Sequence, residues 1–170
     1  ISADLSVAER YGFRDMATPI LEVTEVFCRA LGASSDVVSK KTYTLEDRGG
    51  TSLTLSPEGT AAAMRAVIRK GMTKALPHRW FYAGPMFRYE RPQKGRMRQF
   101  HQFGCELIGP HSALADAEII GCGAQILEEL GVLDKCVLHL NSLGDTQSRQ
   151  NFREALITYF SRFSDDLSED

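Results

Sequence analysis

The stretch Phe81–Glu106 constrains the fold more than any other part of the chain. It reads FYAGPMFRYERPQKGRMRQFHQFGCE, and with Trp80 before it, it opens on aromatic and apolar residues suited to a β-strand. A turn is expected at Gly84–Pro85, a polar loop at residues 92–95 and a returning strand at residues 96–106. This pattern predicts a long antiparallel hairpin with a basic loop at the centre of the fold.

The returning strand is expected to present two different faces, because successive side chains of a strand point to opposite sides. One face would carry Arg98, Phe100, Gln102, Gly104 and Glu106. The other would carry Gln99, His101, Phe103 and Cys105. A strand packed only for stability seldom presents a guanidinium, a ring, an amide and a carboxylate in a row. The first face is therefore the leading candidate for a binding site.

Positive charge is concentrated where the two strands of the hairpin meet the loop. Between residues 88 and 98 there is one carboxylate, Glu90, and five cations, namely Arg88, Arg91, Lys94, Arg96 and Arg98. The planar guanidinium of arginine binds phosphate oxygens in pairs, so the cluster fits a polyphosphate ligand. Phe100 could stack on a base, and Glu90 could accept a hydrogen bond from an exocyclic amine. The simpler alternative is a solvated basic hairpin beside core aromatics.

Composition excludes several classes of protein. A chain of 170 residues, 43% hydrophobic and 25% charged, is long enough for one globular domain and short for two. Its net charge of −2 gives no overall attraction to nucleic acid. No apolar run approaches the roughly 20 residues that a membrane helix needs, so no membrane association is expected. The four cysteines and four histidines lack metal-ligand spacing, so we expect no metal site and no disulfide, but buried free thiols.

Hydrophobic periodicity predicts an α+β protein, in which a mostly antiparallel sheet is flanked by helices. Helices are expected near residues 4–11, 22–31, 60–72, 115–130 and 147–163. Outside the central hairpin, strands are expected at residues 42–45 and 52–55 and, buried, at 137–141, with an extended segment at 11–22 and a polar link at 34–41.

The turn Pro57–Thr60 opens one of these helices, and two interpretations of it remain open. Glu58 and Thr60 lie where the backbone N–H groups of a helix have no partners, so they could simply cap it. Alternatively, they could receive the ammonium group of an amino acid.

The run Phe87-Arg88-Tyr89-Glu90, with its loop and arginine-containing return strand, resembles the second signature motif of the class II aminoacyl-tRNA synthetases. The segment around Pro19 is similar to the first motif of that family, whose proline lies at a dimer interface. Over FRYERPQKGRMRQFHQFGCE the resemblance is to the histidine-specific members, the histidyl-tRNA synthetases. Pro57–Thr60 and residues 141–144 also match these enzymes, so the resemblance covers nearly the whole chain.

The resemblance implies a two-step reaction. ATP, with Mg²⁺ carried on its phosphates, would activate L-histidine to histidyl-adenylate, and the histidyl group would then pass to histidine tRNA. The family further implies a homodimer formed through the Pro19 region and a cytoplasmic location, with an organellar one also open. In the family's pattern the catalytic arginine is Arg88, which grips the amino-acid carboxylate and the α-phosphate.

The remaining site residues follow from the same resemblance. Histidine would be bound by Glu58, Thr60, Arg88, Gln102 and Glu106, with Glu106 at the imidazole and Tyr82 lining the pocket. ATP would be bound by Arg88, Glu90, Arg96, Arg98 and Phe100.

Residues 1–170 are expected to form part of the class II catalytic domain, with motifs 1 and 2 present and motif 3 and the anticodon-binding domain absent. Two positions depart from the family pattern. Ser56 stands where arginine is usual, and Lys41 where glutamate is usual. The competing hypotheses are a non-catalytic relative, such as the regulatory subunit of ATP phosphoribosyltransferase, and a basic RNA-binding module, against which the net charge of −2 argues.

Overall fold

The computed structural model describes residues 2–32, 40–142 and 144–168. The polar link expected at residues 34–41 therefore lies almost entirely outside the described residues. The chain divides into two compact units, Ile1–Asp134 and Lys135–Asp170, and each is described by itself.

The first unit mixes helices with two small sheets. Its elements are α1 (Ser2–Arg10), β1 (Arg14–Asp15), β2 (Leu21–Val23), α2 (Thr24–Leu31), β3 (Tyr43–Glu46), β4 (Ser52–Leu55), α3 (Thr60–Arg69), β5 (His78–Phe87), β6 (Gln99–Ile108) and α4 (Ala113–Glu129). One sheet has the strand order β1-β5-β6 and the other β2-β4-β3, each with three strands. The predicted α+β class is confirmed, although the expected single sheet is two separate sheets in the described part of the chain.

The central hairpin is confirmed. Strands β5 and β6 pair in antiparallel fashion over ten consecutive residues, from His78 opposite Ile108 to Phe87 opposite Gln99. Strand β1 adds a short parallel pairing at the other side of β5, where Arg14 lies opposite Trp80.

The turn expected at Gly84–Pro85 is wrong, because β5 continues through both residues to Phe87. The backbone explains how a proline fits there. The carbonyl of Phe81 accepts from the amide of Met16, and the amide of Phe87 donates to Ser56, so these alternate residues direct their backbone groups away from β6. Pro85 shares that orientation, and its missing N–H costs no hydrogen bond of the β5–β6 ladder.

The loop of the hairpin is longer than expected. Strand β6 begins at Gln99, so Arg96 and Arg98 belong to the loop and not to the returning strand. The amide of Arg88 donates to the Arg98 carbonyl at 2.9 Å and closes the loop at its base. At its tip Gly95 has φ +80°, a conformation that favours glycine.

The two faces of β6 separate as the alternation predicts. Phe103 and Cys105 pack with Phe81 on a core that also contains Val7, Ala8, Phe13 and Cys122, contributed largely by α1 and α4. Phe100 packs on the other face against Tyr82, Met86 and Ala63 of α3. The expectation of buried thiols holds for Cys122, whereas Cys136 is exposed.

The second sheet replaces the start of a predicted helix. The helix expected from residue 22 begins at Thr24, because Leu21–Val23 pair with β4 as strand β2. An amphipathic helix over residues 22–31 would have turned Val23 inward, and the strand reverses that burial. Val23 is 45% exposed, whereas the Glu22 carboxylate is buried and pairs with Arg65 of α3.

The second unit contains the helix α5 (Thr146–Phe160), followed by a 3₁₀ segment, Ser161–Asp166. Asp145 caps α5 by accepting from the Ser148 amide at 2.7 Å. The buried strand predicted at residues 137–141 is wrong: these residues form no strand in the described structure, and Val137 is 79% exposed. An apolar run becomes a strand only where a neighbouring strand bonds its backbone, and alternation alone cannot supply that partner.

Candidate active site

The turn before α3 brings a carboxylate to the start of that helix. The Glu58 side chain accepts from the Thr60 amide at 2.7 Å and from the Ala61 amide at 2.9 Å. Of the two interpretations left open by the sequence, capping is the one that these contacts display. It uses backbone N–H groups that have no partner inside the helix, and the helix dipole adds to the attraction. The cap also fixes Glu58 beside Thr60.

Two hydroxyl side chains from different segments converge on one oxygen of a carboxylate. Thr60 Oγ1 donates to Glu106 Oε1 at 2.7 Å. The Tyr82 hydroxyl lies 3.3 Å from Thr60 Oγ1 and donates to Glu106 Oε1 at 3.4 Å. Thr60 has one hydroxyl proton, which it gives to Glu106, so the Tyr82 proton is shared between Thr60 and Glu106. Four residues predicted for the histidine pocket, Glu58 included, thus lie together.

Burial governs the ionisation of this cluster. The pKa of Glu106 is raised, first by desolvation and also by the negative charge of Glu58, while hydrogen bonds from Thr60 and Tyr82 act to lower it. Desolvation likewise raises the pKa of Tyr82 to about 12, so its hydroxyl stays protonated at neutral pH and remains a donor. The Glu106 carboxylate would therefore gain from one more hydrogen-bond donor.

Gln102 supplies an acceptor without a partner. Its Oε1 is buried and makes no hydrogen bond within the described residues. Leaving a buried acceptor unpaired costs about 1–3 kcal/mol, so a ligand N–H that reached this oxygen would recover free energy. Gln102 lies four positions before Glu106 on the same face of β6, with Gly104 between them.

Arg88 is placed between the turn and the aromatic ring of β6. Its Nε donates to the Pro57 carbonyl at 2.8 Å, which ties it to the turn that carries Glu58. Its guanidinium carbon lies 5.0 Å from the centre of the Phe100 ring, within the range of a cation–π contact. The predicted pair Arg88 and Phe100 is thus brought together.

Glu90 is surrounded by cations. Lys41 Nζ lies 3.1 Å from its Oε1, and Arg96 lies 3.8 Å from its Oε2. Arg98 donates from Nε to the Glu90 carbonyl at 3.1 Å, and its guanidinium lies 4.4 Å from the Tyr89 ring centre. The family resemblance predicts that Arg96 and Arg98 lie near phosphates or the tRNA end. Nothing in the sequence indicated Lys41 as a partner of Glu90, because residues far apart along the chain meet here.

Ser56 has a structural role. Its side chain is 3% exposed, and its hydroxyl donates to the Ile20 carbonyl at 3.0 Å. The Phe87 amide in turn donates to the Ser56 carbonyl at 2.9 Å. Ser56 thereby joins the segment that contains Pro19 to the end of β5.

A groove of about 710 Å³ lies between α2 and α3, with Glu58 and Thr60 among its lining residues. Its lining does not include Arg88, Phe100 or Glu106.

Within the described ranges no group of three or more histidine, cysteine or acidic side chains could hold a metal ion. None of the described helices has both the length and the apolar character needed to span a bilayer.

Comparison with known proteins places the chain in a family. The family model described as histidyl-tRNA synthetase matches residues 2–147. The histidine–tRNA ligase of Gluconacetobacter diazotrophicus is 60% identical over 164 residues, which are 96% of this chain and 40% of that protein. That of Gluconobacter oxydans is 59% identical over the same length, with the same coverage.

Solved structures agree with this relationship. The apo histidyl-tRNA synthetase of S. aureus matches 97% of this chain and 38% of its own, with a TM-score of 0.70 and 34% identity. A Bacillus halodurans protein titled ATP phosphoribosyltransferase regulatory subunit/histidyl-tRNA synthetase matches 76% of this chain and 32% of its own, with a TM-score of 0.65 and 28% identity. The chain spans about 40% of the length of the curated relatives it matches. With a family model that covers most of its residues, the chain belongs to the histidyl-tRNA synthetase family.

Proposed function

We propose that a full-length protein carrying this chain activates L-histidine with ATP and transfers the histidyl group to histidine tRNA. The chain would supply part of the class II catalytic domain, with motif 1 around Pro19 and motif 2 in the β5–β6 hairpin. The observation that carries the proposal is the unpaired, buried Oε1 of Gln102 on the same face of β6 as the half-buried Glu106 carboxylate. Two acceptors on one strand face suit a ligand with several N–H groups, and histidine has both an ammonium group and a ring N–H.

In the proposed complex the ammonium group of histidine lies at Gln102, Glu58 and Thr60, and the imidazole N–H points to Glu106. Tyr82 borders the ring. Because the pKa of Glu106 is raised by desolvation, a ring N–H that donates to it replaces part of the lost hydration. An analogue without that N–H would leave the carboxylate desolvated and unpaired.

The ATP side of the site would use Arg88 at the histidine carboxylate and the α-phosphate. Phe100 would stack on adenine, and Glu90 would accept from the adenine amine. Arg96 and Arg98 would lie near the phosphates, to which both must turn from their present contacts with Glu90. Mg²⁺ would arrive on the ATP phosphates, which it prefers to an all-protein cage.

The first step joins a histidine carboxylate oxygen to the α-phosphorus and breaks the bond from that phosphorus to the oxygen bridging to the β-phosphate. Pyrophosphate leaves with the bonding electrons. Arg88 would hold both reactants in line and neutralise charge as it develops. In the second step a hydroxyl at the 3′ end of the tRNA attacks the carbonyl, and AMP leaves.

Ligand binding by this chain is tested by thermal shift with histidine alone, ATP alone and both together. A ligand at 100 times its Kd adds about 2.7 kcal/mol to the free energy of unfolding. We expect stabilisation by histidine that other amino acids do not give, and a further increase with ATP. Equal shifts with histidine and an unrelated amino acid would contradict the proposed pocket.

Catalysis is tested by histidine-dependent pyrophosphate exchange in the full-length protein. Arg88→Ala should reduce exchange by at least about a hundredfold, the loss typical of removing one charge-stabilising donor. Arg153→Ala, the same change at an exposed site on α5, is the matched control. Exchange near the wild-type rate in Arg88→Ala would remove Arg88 from the mechanism.

The non-catalytic alternative is a histidine-sensing relative of the ATP phosphoribosyltransferase regulatory subunit. It predicts a thermal shift with histidine but no exchange by the wild-type protein. The presence of Arg88, Glu90 and Phe100 in one site favours the enzyme. We further propose a homodimer formed through the Pro19 region and a cytoplasmic location.

A further inference from the structure

The Tyr82 ring is enclosed by two glycines from different segments. A Cβ added to Gly59 would lie 2.1 Å from Tyr82 Cε2, and one added to Gly104 would lie 2.3 Å from Tyr82 Cζ and from its hydroxyl oxygen. Both distances are below the 3.0 Å that real Cβ atoms keep from other heavy atoms. We call this arrangement the glycine slot, formed by Gly59 and Gly104 around the ring of Tyr82.

Backbone conformation does not explain these glycines. Gly59 has φ −97°, and Gly104, in strand β6, does not have a positive φ. Any L-residue can adopt such dihedrals. What both positions require is the lack of a side chain, because the Tyr82 ring occupies the space that a Cβ would fill.

Strand pairing explains where the ring goes. Gly104 is the direct partner of Tyr82 across the β5–β6 ladder. With no side chain at Gly104, the ring can lie over that position and approach Glu106, the next residue on the same face. Tyr82 is 5% exposed and packs against Ala63 and Met86. Apolar packing therefore holds the ring, and its hydroxyl is left to meet Thr60 and Glu106.

The side-chain hydrogen bonds to the Glu106 carboxylate go to only one of its two oxygens in the described part of the chain. Thr60 and Tyr82 both bond Oε1, and no hydrogen bond to Oε2 occurs within the described residues. Two donors on one oxygen fix the plane of the carboxylate and leave Oε2 to accept from a ligand. A carboxylate held in this way discriminates between N–H groups by their direction as well as by their presence.

We infer that Tyr82 is a positioning residue for ligand specificity: the glycine slot holds its ring so that its hydroxyl and Thr60 pin Oε1 of Glu106 and present Oε2 to one ring N–H of the amino acid. The inference rests on the proposed function for the identity of the ligand. In this inference Gly59 and Gly104 are required only because a side chain at either position would overlap the Tyr82 ring.

The test measures histidine binding by calorimetry and pyrophosphate exchange in the full-length protein. Tyr82→Phe keeps the ring in the slot and removes the hydroxyl. We expect its Kd and KM for histidine to rise about three- to tenfold, with kcat and the KM for ATP within about twofold. Discrimination against histidine methylated at one ring nitrogen should fall in the same variant, because the carboxylate is no longer fixed.

The slot itself is tested by Gly104→Ala, which should weaken histidine binding at least as much as Tyr82→Phe and also lower Tm. Gly84→Ala is the matched control in the same hairpin, since a Cβ there meets no atom within 4 Å. Adding Tyr82→Ala to Gly104→Ala should recover part of the lost Tm, because the clash is gone, but should leave histidine binding weak. If Gly104→Ala does not fold, Tyr82→Phe and this double variant carry the test.

The outcomes separate the inference from the function on which it rests. Wild-type histidine affinity and unchanged analogue discrimination in Tyr82→Phe, in an active enzyme, would overturn the inference and leave the proposed function standing. A wild-type protein that binds histidine without exchange would overturn the enzymatic proposal, and the binding comparison would still decide the role of Tyr82. A wild-type protein that binds no histidine would overturn both.

Discussion

Individual residues of the candidate site cost the folded protein free energy in the absence of a ligand. Glu106 is held in a half-buried position where desolvation raises its pKa, and Gln102 keeps a buried oxygen unpaired. Neither arrangement stabilises the chain by itself, and both become favourable when a donor arrives. Binding sites commonly contain such unfavourable features, which the rest of the structure must hold in place.

The free energy of unfolding should therefore increase when Glu106 loses its charge. The folded-state pKa of Glu106 lies above its unfolded value, so the ionised side chain lowers stability at neutral pH. The cost fades as pH falls through the folded pKa towards the unfolded value of about 4.3, below which both states are protonated. Glu106→Gln should raise Tm at pH 7, and the gain should shrink near pH 4.

The same change at the exposed carboxylate Glu9 provides the control for Glu106→Gln. A lower Tm at pH 7 in Glu106→Gln would show that the hydrogen bonds to Oε1 outweigh desolvation. In the full-length protein Glu106→Ala should weaken histidine binding more than ATP binding. Equal losses would place Glu106 outside the imidazole pocket.

At this scale the sequence predicted which residues share a face, because alternation along a strand is a local property. Phe100 and Glu106 were grouped correctly, as were Phe103 and Cys105. The sequence did not predict side-chain partners from distant segments, such as Lys41 for Glu90 or Arg65 for Glu22. Those pairs depend on how the second sheet and α3 pack, which no local pattern specifies.

Elements of the first unit are joined by ion pairs at their edges. Arg65 of α3 bonds the buried Glu22 of β2, and Arg79 of β5 makes a double hydrogen bond with Glu118 of α4 at 2.5 and 2.9 Å. The Arg79 guanidinium holds the pKa of Glu118 below its usual range. The first pair fixes α3, which begins at Thr60, against β2, and the second fixes α4 against β5, the strand that carries Tyr82.

Arg65→Met should destabilise the protein by about 3 kcal/mol, the lower end for breaking a buried pair, because the Arg65 side chain is 25% exposed. The cost comes from leaving the Glu22 charge buried without its partner. Urea denaturation would measure it, with Arg69→Met on the exposed side of the same helix as control. A loss below about 1 kcal/mol would mean that water or another cation replaces Arg65.

The segment before β3 is attached to the hairpin at two points. The Lys41 carbonyl accepts from the Tyr89 amide at 2.8 Å, while its Nζ pairs with Glu90. In the full-length protein Lys41→Met should raise the KM for ATP about two- to fivefold, since partly exposed pairs contribute up to about 1 kcal/mol. Lys41→Arg should restore it, and added salt should weaken the wild-type advantage.

Lys74→Met, at an exposed site outside the hairpin, is the control for Lys41→Met. An unchanged KM for ATP in Lys41→Met would mean that Glu90 holds its position without Lys41, or that Glu90 does not contact adenine. Substitution of Glu90 itself by glutamine would separate these two explanations.

For the whole molecule, the sequence predicted the α+β class and the order of elements but not the number of sheets. The sequence predicts one sheet around the central hairpin, two further strands at 42–45 and 52–55, and an extended segment at 11–22. In the structure β1 joins β5, whereas β2 joins β4 in a second sheet. The strand predicted at residues 137–141 is wrong for a related reason. Which strands pair depends on the assembled fold, and an apolar run alone does not specify its partner strand.

The proposed dimer predicts a concentration-dependent mass. Pro19 is exposed, and the adjoining Ile20 and Leu21 are 47% and 41% exposed, an apolar surface that a second copy could cover. Sedimentation of the full-length protein should show dissociation on dilution, and Ile20→Glu should shift it to higher concentrations. Leu114→Glu, at an 81% exposed site on α4, should have no effect. A monomer at every concentration would contradict the proposed interface.

The unbroken register of β5 and β6 also restricts how genes of this kind can change in length. One codon inserted within Gln99–Ile108 would turn every later side chain of β6 to the opposite face, exchanging Glu106 with a core position. The same codon inserted at residues 88–98 would lengthen a loop and leave both faces intact. Length polymorphism among natural variants should therefore gather in that loop, and the ten-pair ladder should contain no insertions.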